Sequence, residues 1–124
     1  MNTYQLALTK DFSRLFAKAI EESLRTIFRD GVCDEILDSI TEILGVSYRD
    51  LLDNPSLLHQ ALQLMFGEGS MIIESSILFK LSKLLNMEID ASDGFVEAVM
   101  NAKLKYEFEL TDEDFDMMSS RLIL

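Results

Sequence analysis

The chain is poor in the residues that break or staple a backbone. It has one proline, Pro55, and five glycines in 124 residues, the glycines falling mostly between periodic segments. That punctuation belongs to a helical protein. One cysteine, Cys33, excludes an intrachain disulfide and agrees with a reducing interior. One histidine, His59, leaves too few nitrogen and sulfur ligands for a zinc site even with Cys33 added, so no metal or cofactor is expected. Bases are scarce: 11 Lys and Arg face 22 Asp and Glu, a net charge of −11. Such a surface repels nucleic acid and anionic membrane, and neither is an expected partner. Long hydrophobic runs are missing too. "MIIESSILFKLSKLL" is interrupted by Glu74, Lys80 and Lys83 and falls short of the roughly 20 apolar residues of a membrane span. "MNTYQLALTKDF" has no basic region followed by an apolar one, so a secretory signal is not expected and the cytoplasm is.

Apolar residues nevertheless make up 48% of the chain. That excludes a wholly disordered protein, and the length suits one domain with a real core. In residues 10–29, Phe12, Leu15, Phe16, Ala19, Ile20, Leu24, Ile27 and Phe28 recur at helical intervals and cover more than half the circumference. Leu24 and Phe28 lie to one side of the main stripe and are candidate contacts for a second partner. Gly31 suits the left-handed position past a helix end. Residues 32–44 form a second helix stopped by Gly45, with Val32, Ile36, Leu37, Ile40, Ile43 and Leu44 inward. Ser47 can cap one short turn after it. Asn54-Pro55 is a strong helix start, giving a third main helix over 55–66 with Leu58, Ala61, Leu62, Met65 and Phe66 inward.

Residues 70–85 carry apolar side chains nearly all round, from Met71, Ile72 and Ile73 to Phe79, Leu81 and Leu85. A helix of that kind is enclosed by protein, so this segment is predicted to be the central helix, with Ser75, Ser76 and Ser82 allowing close backbone approach. A fifth helix follows, capped by Ser92 or Asp93, with Phe95, Val96, Val99 and Met100 inward. Leu104, Tyr106, Phe108 and Leu110 then alternate with charged residues, which is a strand period over a short span. "TDEDFDMMSSRLIL" reads as a capped terminal helix or a tail.

Gly67-Glu68-Gly69 invites a phosphate-loop reading. A glutamate at its centre, no lysine in the following turn and a preceding helix instead of a strand all oppose it. The residues suit a turn in which Gly67 ends one helix, Gly69 permits the reversal and Ser70 caps the next. Glu74 and His59 are the candidate buried polar residues: Glu74 either pairs across that hairpin, with His59 within reach, or stands exposed at the early turn, where its charge suits the helix dipole; one acid without a second is not a catalytic site. Cys33 reads as a small hydrophobe, with no cationic neighbour to activate it. The acidic run 112–116 lacks a calcium loop's glycine at the sixth position, Met117, and its closing glutamate at the twelfth, Ile123. Arg14, Lys18, Arg25 and Arg29 share an arc of the first helix, but Glu21 and Glu22 interleave at pairing distances, so the arc reads as a salt-bridge ladder.

The stretch "NPSLLHQALQLMFGEGSMIIESSILFKLSKLL" resembles the small archaeal domains called Nitrosopumilus output domains. The likeness rests on a helix starting Asn54-Pro55 and ending Phe66-Gly67, a turn containing Gly69, and a long apolar helix with an early glutamate, Glu74. It covers about the middle third of the chain. It implies an archaeal signalling or regulatory output module and brings no catalytic residues with it.

These readings together predict an all-α bundle of about five helices around residues 70–85, comprising a helical domain over 1–105 and a tail or terminal helix over 106–124. The wide apolar arcs favour a homodimer. The expected function is a non-catalytic signalling or protein-interaction module, with Leu24, Phe28, Phe115, Met117, Met118 and Leu122 as candidate contacts. The alternative is a small apolar-ligand binder or enzyme with a pocket beside the central helix and Glu74 or His59 as its polar group.

Overall fold

Residues 3–108 are described in a computed structural model, and every regular element among them is helical. The order is α1 (Thr3–Ile27), α2 (Asp30–Leu44), α3 (Tyr48–Asp53), α4 (Pro55–Phe66), a 3-10 turn (Gly67–Gly69), α5 (Ser70–Leu85) and α6 (Phe95–Glu107). The all-α bundle is therefore as expected, with α3 the short turn that Ser47 caps. The tail residues from 109 onward, including Phe115, Met117, Met118 and Leu122, lie outside the described residues.

Local chemistry explains most boundaries. Gly45 is left-handed at φ 65° and its N–H donates to the Thr41 carbonyl, closing α2. Ser47 and Asp50 form a reciprocal capping box: Asp50 N–H donates to Ser47 Oγ at 3.1 Å, and Ser47 N–H donates to the Asp50 carboxylate at 2.9 Å. Asn54 Oδ1 accepts from Ser56 N–H at 3.1 Å, with Pro55 at the first helical position of α4.

Several boundaries differ from the sequence expectation. Helix α1 begins at Thr3, well before residue 10. Arg29, extended at ψ 155°, makes the break before α2, and Gly31 lies inside that helix with no positive φ. Ser70 is the first residue of α5 and Gly69 precedes it with no side-chain cap. Gly94, at φ 99°, starts α6, while Ser92 N–H donates instead to Asp90 Oδ1 at 2.9 Å. Residues 104–107 belong to α6, and Phe108 ends that helix, so the alternating pattern is not a strand. The helix wins because Phe95, Ala98, Val99 and Ala102 make a buried 3.6-period face that Tyr106 continues.

The core draws on all six helices. Phe16, Ile40, Leu51, Leu62, Ile77 and Val99, one from each, are fully buried, and each such side chain contributes about 1.5–3 kcal/mol by leaving water. Helices α1 and α5 make the most extensive contact. Phe28, at the end of α1, packs on Phe66, at the end of α4, with ring centroids 5.5 Å apart. Ser76 Oγ donates to Ser23 Oγ at 3.0 Å. Since α5 starts just past Phe66 and its Ser76 meets an earlier turn of α1, the two helices run antiparallel.

Candidate functional site

The hairpin of α4 and α5 places its two ionisable groups face to face. Pro55 and Asn54 fix the start of α4, which carries His59 one turn in. Gly67 at φ 56° reverses the chain so that α5 returns with Glu74 at its second turn. Glu74 is buried at 7% exposure, and its Oε2 meets His59 Nδ1 in a short contact. The imidazole stacks on Phe95 of α6, with centroids 6.4 Å apart and planes 21° apart. The pairing foreseen across the hairpin is present. Its chemistry is that of a satisfied buried carboxylate: one acid, one half-buried imidazole and an aromatic wall, with no nucleophile in the arrangement.

A second polar cluster joins α1 to α3. The Tyr48 hydroxyl donates to Glu21 Oε2 at 3.4 Å and lies 3.5 Å from the Ala17 carbonyl oxygen. Glu21 also pairs with Arg25 at 3.6 Å, and Lys18 pairs with Glu22 at 4.0 Å. These are the rungs of the expected ladder. Burial, then the neighbouring Glu21 carboxylate, pushes the Tyr48 phenol well above its ordinary value. The Cys33 thiol is buried, and it donates to the Glu21 carbonyl oxygen at 3.8 Å.

The largest departure from expectation is on α5. Ile73, Ile77, Leu78, Leu81 and Leu85 are buried, but Met71, Ile72 and Phe79 are 69%, 68% and 62% exposed. The helix is not enclosed along its girth. At 100° per residue, Met71, Ser82, Ser75, Phe79, Ile72 and Lys83 fall within one arc of about 120°. Lys83 Nζ sits 5.2 Å from the centroid of the Phe79 ring, a cation–π contact at the surface. Two serines and a lysine on that arc were the available signal that the flank meets solvent. Apolar periodicity alone did not carry it, because three large apolar residues on the same arc read as core.

The other candidate contacts fare differently. Leu24 is 1% exposed, packed in the core, and so offers no surface. Phe28 is half-buried against Phe66. Exposed apolar side chains elsewhere, such as Ile43, Leu64 and Met100, stand on three different helices, and isolated surface hydrophobes are ordinary.

A cleft of about 260 Å³ opens between the α3–α4 corner and α6, lined by Phe12, Leu52, Pro55, Val99, Lys103 and Leu104 among others. It is smaller than the ~300 Å³ at which ordinary ligand pockets begin; a more open one of about 560 Å³ lies among α1, α2 and α3 beside Glu21, Asp38 and Tyr48, and neither Glu74 nor His59 lines either cleft. Among the described residues no group of three or more His, Cys, Asp or Glu is placed to hold a metal ion. No helix among them is long and apolar enough to cross a membrane. No family model, curated protein or solved structure matches the chain.

Proposed function

We propose that this chain is a non-catalytic protein-interaction module that works as a homodimer in a signalling or regulatory setting, with the outer face of α5 as its contact surface. The observation that carries this reading is the stripe of Met71, Ile72 and Phe79, each about two-thirds exposed on one helix face. Three such side chains leave on the order of 400 Å² of apolar surface in water, the size of the largest patch on an ordinary soluble monomer, and such patches are often functional. The inward pairing of His59 with Glu74 supports a non-catalytic role, since both groups are engaged with each other. The likeness of residues 54–85 to archaeal output domains supplies the signalling context. A cytoplasmic, reducing location suits a chain whose one cysteine, Cys33, is a buried thiol.

Sedimentation equilibrium over a concentration series tests the reading. The expected result is reversible dimerisation that Phe79→Asp abolishes while leaving the helical circular dichroism intact. A single species of about 14.1 kDa at every concentration would overturn it.

A further inference from the structure

The contact surface named above has an internal symmetry that dictates how two copies meet. On α5, Met71 and Lys83 lie six positions either side of Ile77, Ile72 and Ser82 lie five, and Ser75 and Phe79 lie two. All six stand on the same arc. In an antiparallel pair of helices related by a two-fold axis at the level of residue 77, each of these positions lies level with its mirror position on the other copy. Phe79 of one copy then enters the gap above Ser75 of the second, and the reverse contact repeats it. Ile72 lies over Ser82, and Met71 lies along the aliphatic stem of Lys83. Every large side chain meets a small or flexible one, which is the alternation that lets two helix faces interlock without voids.

Charge points to the same arrangement. Glu68, exposed one turn before Met71, marks the amino end of the face, and Lys83 marks its carboxyl end. Antiparallel pairing brings Glu68 of each copy toward Lys83 of the other. Parallel pairing would set Glu68 beside Glu68, Lys83 beside Lys83 and Phe79 against Phe79, with a gap at Ser75. The apolar stripe plus its polar margin gives a total buried area of roughly 1,000 Å², the lower bound for a specific interface.

We infer that two copies of the chain associate through α5, antiparallel, about a two-fold axis at Ile77. This rests on the reading of α5 as the contact surface, and the test separates the two. Met71→Cys and Lys83→Cys variants are made singly; both positions are exposed, so the fold is retained. Each is oxidised alone and in an equimolar mixture, at a concentration where the unmodified chain sediments as a dimer. The expected result is a disulfide-linked dimer predominantly in the mixture, because positions 71 and 83 face each other while each is about 18 Å along the axis from its own copy. Linkage of either variant to itself, or none in the mixture, would overturn the antiparallel register and leave the α5 surface standing. An unmodified chain that never dimerises would remove both.

Discussion

The buried carboxylate of Glu74 and the half-buried imidazole of His59 are bonded partners across the α4–α5 hairpin, but their burial is unequal: 9% of the Glu74 side chain is exposed against 34% of the His59 side chain. Removing the two partners should therefore have unequal effects. His59→Ala strands a carboxylate away from water and is expected to destabilise the fold by about 1–3 kcal/mol. Glu74→Leu leaves an imidazole that can turn to solvent, and its cost should be smaller. The double replacement His59→Ala with Glu74→Leu should cost less than the two single losses combined, since it removes the pair and its desolvation together. Urea midpoints of the four chains check this; strict additivity would show that the contact carries no energy.

The Tyr48 phenol gives the fold an alkaline limit. Its proton is held above the ordinary value of about 10, first by burial and then by the Glu21 carboxylate. A group whose folded value is raised contributes stability that is complete below the unfolded value and is lost as pH rises beyond it. Thermal melting points should thus fall from about pH 10 upward. Tyr48→Phe removes the ionising group and should flatten that fall relative to the unmodified chain. A parallel decline in both would assign the effect to other groups.

The turn between α4 and α5 distinguishes two glycines that look alike. Gly67 has φ 56° and ψ −128°, a conformation that side chains resist, whereas Gly69 has φ −65° and ψ −17°. A Cβ at Gly69 would meet only Phe66 Cβ at 3.9 Å, an ordinary contact. Gly67→Ala should cost about 1–3 kcal/mol. Gly69→Ala should be neutral or stabilise by about 0.4–1 kcal/mol, through a less flexible unfolded chain. Chemical denaturation of the two variants should move the midpoint in opposite directions or move only the first.

Which features were legible in the sequence follows a physical line. Asn54, Pro55, Ser47 and Gly45 act within one turn of their own position, so their residue types sufficed to place the helix boundaries there. The pairing of Glu74 with His59 was also readable, because a short turn forces α4 and α5 to lie side by side. Gly31, Ser70 and the pair Ser92 and Asp93 misled for the opposite reason: their residue types suit a helix end or cap, but Arg29, Gly69 and Gly94 are the residues that precede α2, α5 and α6. The candidate surface was the least legible part. Periodicity says that Leu24, Ile72 and Phe79 are apolar and where they sit around their helices. It does not say which neighbour arrives to cover them; α1's Leu24 is covered by the bundle, and the outer flank of α5 is not.

That uncovered flank should respond to substitution in association and not in folding. Ile72→Gln and Phe79→Gln replace side chains already largely in water, so each should change monomer stability by no more than about 0.5 kcal/mol. Ile77→Ala, one position inside the same helix and fully buried, should cost about 2–5 kcal/mol by opening a cavity. The two outer variants should instead weaken self-association by at least about tenfold each, because each removes a large side chain from a small interface. Urea unfolding at a concentration low enough to keep the chain monomeric, set beside sedimentation at high concentration, separates the two effects. Loss of folding stability in Ile72→Gln equal to that of Ile77→Ala would mean that the outer face is packed against other parts of its own chain, and the contact surface would have to be sought elsewhere.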